Sequence, residues 1–239
     1  MSTLRRARSV DSRNNVAPVA IDELREFSAQ PYAIPALAPE VVEVAFAGHT
    51  IRIQRHAAGQ QSRGVHCAIW PAAWKLIDTL AQLDSTSSKG LWKSKRVLEL
   101  GSGTGIVGMC AALLGAAATV TDLHTDVLQT NVRQNSITGP GSLRVECLDF
   151  ASAQDLDRHR RCYDVVLVSD CCYNRSLCEH VVAALFALCC PVCLISMFRD
   201  RSLSLHDLFV TKAAECGFEV KLIQEEDGVV VYRLTRTCS

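Results

Sequence analysis

Two stretches carry residue types whose spacing could do chemistry: "VLELGSGTGIVG", residues 97–108, and "VLVSDCCYN", residues 166–174. The first sets glycines at 101, 103, 105 and 108 between an apolar run and a helical pattern. Backbone N–H groups at such positions can approach a ligand closely, because no Cβ stands in the way. Gly103, Gly105 and Gly108 fit the dinucleotide fingerprint GxGxxG, and Asp122 follows about 20 residues on, where a ribose-binding acid belongs. A carboxylate there can accept both ribose hydroxyls. Asp122 and Asp149 close consecutive apolar runs, so both belong at the rim where open α/β sheets bind ligands. Asp149 with Phe150 suits the edge and face of an adenine. In the second stretch Asp170 and Tyr173 bracket Cys171 and Cys172. Adjacent cysteines make strained disulfides, and no Cys or His pair at zinc-like spacing faces them. Cys190 and Cys193 have a CxxC spacing but enter an apolar run instead of heading a helix. No metal site is expected.

The elements that must position these residues alternate. Over "VEVAFAGHTIRIQRH" apolar and polar residues alternate on either side of Gly48-His49, which predicts a β-hairpin. "AIWPAAWKLIDTLAQL" has helical spacing with Pro71 in its first turn, and "DSTSSKG" follows as a polar loop. From Arg96 short apolar runs ("RVLEL", "ATVTD", "SLRVECLD", "DVVLVSD", "PVCLISM") are separated by helical patterns over 104–115, 124–135, 177–188 and 203–216, with a charged loop before Asp164. Such alternation predicts an α/β fold with a mostly parallel sheet and helices on both faces. "FEVKLIQ" and "VVVYRLTR" are joined by too few residues for a crossover, so they are antiparallel. The main sheet is therefore expected to hold seven strands, the last one reversed.

The 25 basic and 25 acidic side chains cancel, which leaves no net field toward nucleic acid or an anionic membrane. No apolar run reaches the roughly 18 residues of a membrane span. The twelve cysteines fall mostly inside apolar segments, where a thiol packs as a small hydrophobe; the chain reads as a reduced, cytoplasmic protein. Residues 1–40 read as a disordered N-terminal extension with a proline linker over 31–40, and 41–239 as one domain. The Arg- and Ser-rich opening "MSTLRRARSVDSRNN" also resembles a mitochondrial transit peptide.

Glu99 precedes the glycines in the register Glu-x-Gly-x-Gly-x-Gly, which resembles motif I of seven-strand, Rossmann-like methyltransferases dependent on S-adenosylmethionine. The chain also lacks the Tyr-x-x-x-Lys pair of short-chain dehydrogenases, which weighs against an NAD-binding oxidoreductase. "GVHCAIWPAAWKLIDTL", "VLELGSGTGIVG", "TVTDL", "NVRQN" and "SDCCY" together resemble the family 16 methyltransferases, a group rich in protein-lysine methyltransferases. The likeness runs from near Val44 to the C-terminus. It implies that S-adenosylmethionine is held by Trp70, Glu99, Gly101, Ser102, Gly103, Gly105, Asp122, Leu123, Asp149, Phe150 and Ser169. The family's Asp-x-x-Tyr motif falls on Asp170 and Tyr173, which would guide a lysine amine presented by a non-histone protein; Cys171 and Cys172 occupy its variable positions. Phe150 departs from the usual Trp, keeping a stacking face without the indole N–H. The Asn/Asp-Pro-Pro-aromatic motif of nucleic-acid amine methyltransferases is missing, whereas small-molecule and protein-histidine methylation stay open as alternatives.

Overall fold

A computed structural model describes residues 5–10, 16–18, 40–55, 65–135, 137, 140–199 and 203–237. Within the stretch expected as a disordered extension, β1 (Arg5–Val10) and β2 (Val16–Pro18) are strands. They join β3 (Glu40–Phe46) and β4 (His49–Arg55) in a four-stranded sheet of order β2-β1-β3-β4. The linker expected over 31–40 lies outside the described residues, apart from Glu40, which opens β3. Alternation makes the β3–β4 hairpin: Val42, Val44, Phe46, Ile51 and Ile53 bury one face. Its turn residues are Ala47 (φ 48°) and Gly48 (φ 82°), one position earlier than expected. A two-residue loop of this hand needs positive φ at both central positions.

Helix α1 (Pro71–Ser85) starts at Pro71, which donates no backbone N–H where a helix has no acceptor for one. It is followed by β5 (Arg96–Leu100), α2 (Ile106–Leu113), β6 (Ala117–Asp122), α3 (Asp126–Gln134) and β7 (Ser142–Cys147). Then come α4 (Ala153–His159), β8 (Val165–Ser169), α5 (Arg175–Leu188), β9 (Val192–Phe198), α6 (Leu203–Glu215), β10 (Phe218–Glu226) and β11 (Val229–Arg236). The stretch expected as a charged loop thus contains α4. Ser152 caps it, its hydroxyl accepting from the Asp155 N–H, while Leu156 is its one buried apolar side chain. So thin an apolar face gives no helical periodicity to read.

The seven strands pair in the order β10-β11-β9-β8-β5-β6-β7. All neighbours run parallel except β11, which is antiparallel to both β9 and β10. The expected seven strands with the last reversed are present. Side-chain alternation splits the core in two. Val97, Val165 and Leu167 join α1, α2 and the hairpin on one face, and Leu98, Leu100, Val166 and Val168 join α5 and α6 on the other.

Helix α3 fastens the small sheet to the large one: Asn135 and Gln134 bond the Arg52 backbone, and Asn131 makes the most buried link. Asn131 of α3 is fully buried. Its Nδ2 donates to the carbonyls of Gln54 and Thr104 (3.0 Å each). Its Oδ1 accepts from the Gln54 N–H (2.8 Å) and from Gln134 Nε2 (2.9 Å). All four amide bonds are used. Asn131→Ala strands these backbone groups, and each buried group left unpaired costs about 1–3 kcal/mol. Urea unfolding of the variant is expected to show a loss of at least ~2 kcal/mol.

Candidate active site

The chain runs β5, β6, β7 toward one edge of the sheet and returns to place β8 on the other side of β5. Ligands of open α/β sheets bind where strand order reverses in this way. The parallel register pairs Leu100 with Val168, so the two chemically suggestive stretches leave neighbouring strands side by side. Ser169 pairs with Ser196 of β9, the two hydroxyls 3.3 Å apart. Asp170 follows with φ 54°, a left-handed conformation unusual for a residue with a side chain. Its N–H donates to the Ser196 carbonyl at 2.8 Å, and the residue is only 6% exposed. Tyr173 is 40% exposed and stands toward solvent.

The glycine loop is built from backbone that other residues resist. Gly101 (φ 61°) and Gly103 (φ 54°) are left-handed, and neighbours fill the space where side chains would stand. A Cβ on Gly101 would lie 2.6 Å from Cys171 Sγ and 3.8 Å from a Phe150 ring carbon; one on Gly103 would lie 3.0 Å from the His66 carbonyl oxygen. Ser102 turns inward: its hydroxyl accepts from the Thr121 N–H (2.9 Å) and donates to the Glu99 carbonyl (3.3 Å). The Asp122 carboxylate bridges two backbone groups, one oxygen accepting from the Gly103 N–H (2.9 Å) and the other from the His124 N–H (3.1 Å). Gly105 caps α2, whose eight residues are all buried.

Two further segments border the loop. A short 3-10 turn, Val65–Cys67, rests on Gly103, and the Trp70 indole N–H donates to the Val65 carbonyl at 3.0 Å. The His66 ring lies 5.1 Å from that of His124, and its Nε2 is 3.5 Å from Asp126 Oδ1. On the far side, Asp149 is half-buried and its carboxylate accepts from the Ala151 N–H at 2.8 Å. Leu123 is 56% exposed.

An arrangement of this kind, a left-handed glycine loop flanked by a rim carboxylate and an aromatic ring, fits a nucleoside-bearing cofactor. The family model described as lysine methyltransferase matches residues 47–214. The chain belongs to the lysine methyltransferase family. EEF1A lysine methyltransferase 3 of Mus musculus is 32% identical over 191 residues, covering 78% of this chain and 77% of that protein. Protein N-lysine methyltransferase METTL21A of Danio rerio is 34% identical over 144 residues, 59% of this chain and 62% of that one. Among solved structures, magnesium protoporphyrin IX methyltransferase from Synechocystis PCC 6803, determined with bound SAH, superposes with a TM-score of 0.52. That match has 15% identity and covers 69% of this chain and 83% of the other, and it speaks for the fold. This lysine methyltransferase is an enzyme whose methyl donor is S-adenosylmethionine.

Of the eleven residues expected to hold the donor, seven fall into two groups. Gly101, Gly103, Asp122 and Phe150 meet around the loop, with Trp70 on the turn that covers it. Glu99 and Ser102 sit beneath the loop, bracing it from inside the sheet. Side-chain alternation puts Glu99 on the α2 face, where its Oε2 accepts from the Gly108 N–H at 2.9 Å. Among the described residues no group of three or more His, Cys, Asp or Glu could hold a metal ion. Cys171 and Cys172 are free thiols. Sequence reasoning missed His66, His124 and the contact of Cys171 with Gly101. Each joins segments distant in the chain, and no local spacing announces it.

Glu99 is fully buried, and desolvation pushes its carboxyl up to about 8, with the Asp122 charge adding to it and hydrogen bonds from Ser102 and Gly108 opposing it. The folded protein therefore holds a proton at Glu99 that the unfolded chain releases near the ordinary 4.5. Stability from this group is fully present well below pH 4.5, falls as pH rises, and is lost above about 8. Glu99→Gln keeps an acceptor for the Gly108 N–H and removes the titration. Denaturant unfolding across pH 5–8 is expected to show wild type losing stability relative to this variant as pH rises, with a constant difference above pH 9.

Proposed function

We propose that this lysine methyltransferase transfers a methyl group to a lysine amine presented by a non-histone protein, with Asp170 and Tyr173 forming the entry for that amine. The observation that carries the reading is the placement of Asp170: buried, left-handed and one strand from the glycine loop, with partly exposed Tyr173 beside it. A protein substrate agrees with the names of the similar proteins, EEF1A lysine methyltransferase 3 and protein N-lysine methyltransferase METTL21A. We also place the enzyme in the cytoplasm, whose reducing conditions suit a core containing Cys110, Cys178, Cys190 and Cys193 as buried thiols.

When bound, S-adenosylmethionine supplies an already activated sulfonium methyl, so the protein's task is placement. Gly101 and Gly103, lacking side chains, let the donor come close to the loop backbone, and Asp122 offers remaining lone pairs to its ribose hydroxyls. Phe150, beside Gly101, offers a ring face to the adenine, with Asp149 next to it. A lysine amine has a pKa near ~10.4, so freeing its lone pair at neutral pH costs about 4 kcal/mol. Asp170 attracts and orients the arriving ammonium, and it does so best as an acceptor that releases its hold once the proton leaves to solvent. The Tyr173 ring presents a face that favours a cation, and its hydroxyl fixes the direction of the amine.

The test combines substrate discovery with two contrasting variants. Labelled methyl donor and a cell extract should give a labelled protein band whose methyl group maps to lysine. A product on histidine or on a small molecule would replace the reading. On the confirmed substrate, Asp170→Ala and Tyr173→Phe should lower kcat while leaving donor affinity within about twofold. Asp122→Ala should weaken donor affinity by tenfold or more, since it removes charge-assisted bonds worth roughly 1.5–3 kcal/mol each and also releases the Gly103 N–H. Calorimetry of donor binding to each variant reads the difference.

A further inference from the structure

We infer that Cys171 is a positioning residue for methyl transfer: its sulfur, seated on the α-carbon of Gly101, sets the spacing between the donor loop and the Asp170–Tyr173 entry. The inference rests on the roles proposed above for Asp170 and Tyr173. Cys171 is 8% exposed. Its Sγ lies 3.6 Å from the Leu100 carbonyl oxygen, 3.8 Å from that of Gly101 and 3.5 Å from that of Ser169. The thiol is therefore wedged between the ends of β5 and β8 and occupies the place a Gly101 side chain would take, with a built Cβ only 2.6 Å from the sulfur. Phe150 closes the same point from the other side, 3.8 Å from that Cβ position.

Asp170 is consequently held on both flanks. Its own N–H is tied to Ser196 of β9, and the next side chain is lodged against the donor loop. A left-handed aspartate keeps that conformation only where its surroundings over-determine it, and this wedge is one such constraint. Cys172 differs from its neighbour. It packs with Cys178 of α5 in the apolar core beneath the entry. The two cysteines, equivalent as spacers in the sequence, have separate surroundings.

Removing the wedge leaves the donor pocket nearly intact but loosens the distance between donor and acceptor. In-line transfer is sensitive to that distance, since a displacement of about 1 Å can cost 10²-fold in rate. Cys171→Ala is therefore expected to lower kcat by tenfold or more while donor affinity, measured by calorimetry, changes by less than about threefold. Cys171→Ser, close in size, should recover most of the kcat, and Cys172→Ala should stay within about twofold of wild type. Cys171→Val adds bulk against Gly101 and should weaken donor binding together with kcat.

A size-exchange cycle reads the contact without turnover. Gly101→Ala drives a methyl group into the sulfur and should weaken donor binding by at least about tenfold. Adding Cys171→Ala leaves Cβ atoms at 4.0 Å, an ordinary contact, and should restore the part of that affinity lost to the clash, the strain of alanine at φ 61° remaining; adding Cys172→Ala should restore none. Folded Cys171→Ala enzyme with wild-type kcat, or equal affinities in the two double variants, overturns the inference. Full kcat in Asp170→Ala removes the catalytic reading of Asp170 instead, because the affinity exchange between Gly101 and Cys171 is measured independently of it.

Discussion

The site depends on the parallel pairing of β5 with β8. These strands are distant in sequence, and only their pairing brings the glycine loop beside Asp170. The pairing is carried by backbone bonds and by apolar side chains packed on both faces, Val97 and Leu167 on one and Leu98, Val166 and Val168 on the other. A register shift of one residue would exchange these faces and expose the core. The apolar pattern therefore sets the register, and the register sets which residues meet at the rim. Leu100 opposite Val168 leaves Gly101 and Ser169 as the first residues past the pair.

At that rim the chain adopts conformations that regular structure avoids. Gly101, Gly103 and Gly105 are left-handed, as is Asp170 across from them. Three of the four are glycine, for which the conformation is easy. Asp170 has no such freedom and is held by the Ser196 carbonyl on one side and the buried Cys171 on the other. In the role proposed for Asp170 this strain is useful: the carboxylate is fixed before substrate arrives, so less ordering remains to be done on binding. The 3-10 turn at Val65–Cys67 presses on Gly103 from above, and the His66–His124 contact joins that turn to the loop after Asp122.

Two acids a strand apart, Glu99 and Asp122, illustrate how environment separates identical chemistry. Glu99 points into apolar packing on the α2 face, where hydrogen bonds from Ser102 and the Gly108 N–H favour its charged form. Burial outweighs these partners and keeps it protonated at neutral pH. Asp122 stands at the strand end with a backbone N–H on each oxygen. Both sit near the glycine loop, yet one braces it from below and the other remains available at the rim.

The sequence by itself determined the fold class and the order of elements. Period-two and period-3.6 patterns report burial directly, and the short link between the last two strands forces them antiparallel. It also located the glycine loop and the strand-end acid proposed to face the donor, because Gly-x-Gly-x-Gly and an acid closing a strand carry their geometry locally. Element ends were less legible. The helix expected from Thr104 begins at Ile106, since Gly105 takes a left-handed capping conformation. The one expected from Leu177 begins at Arg175, since Asn174 caps it with its side chain. Helix α4 gave no pattern at all, with a single apolar contact to write one. Only the tertiary structure decided that Glu99 and Ser102 lie beneath the loop, that Asn131 fastens the hairpin, and that Cys171 and Cys172 have different neighbours. Each of these outcomes is a contact between segments far apart in the chain. Which atoms fill the last few ångströms there depends on packing of the whole domain, and packing leaves no periodic trace in a single sequence.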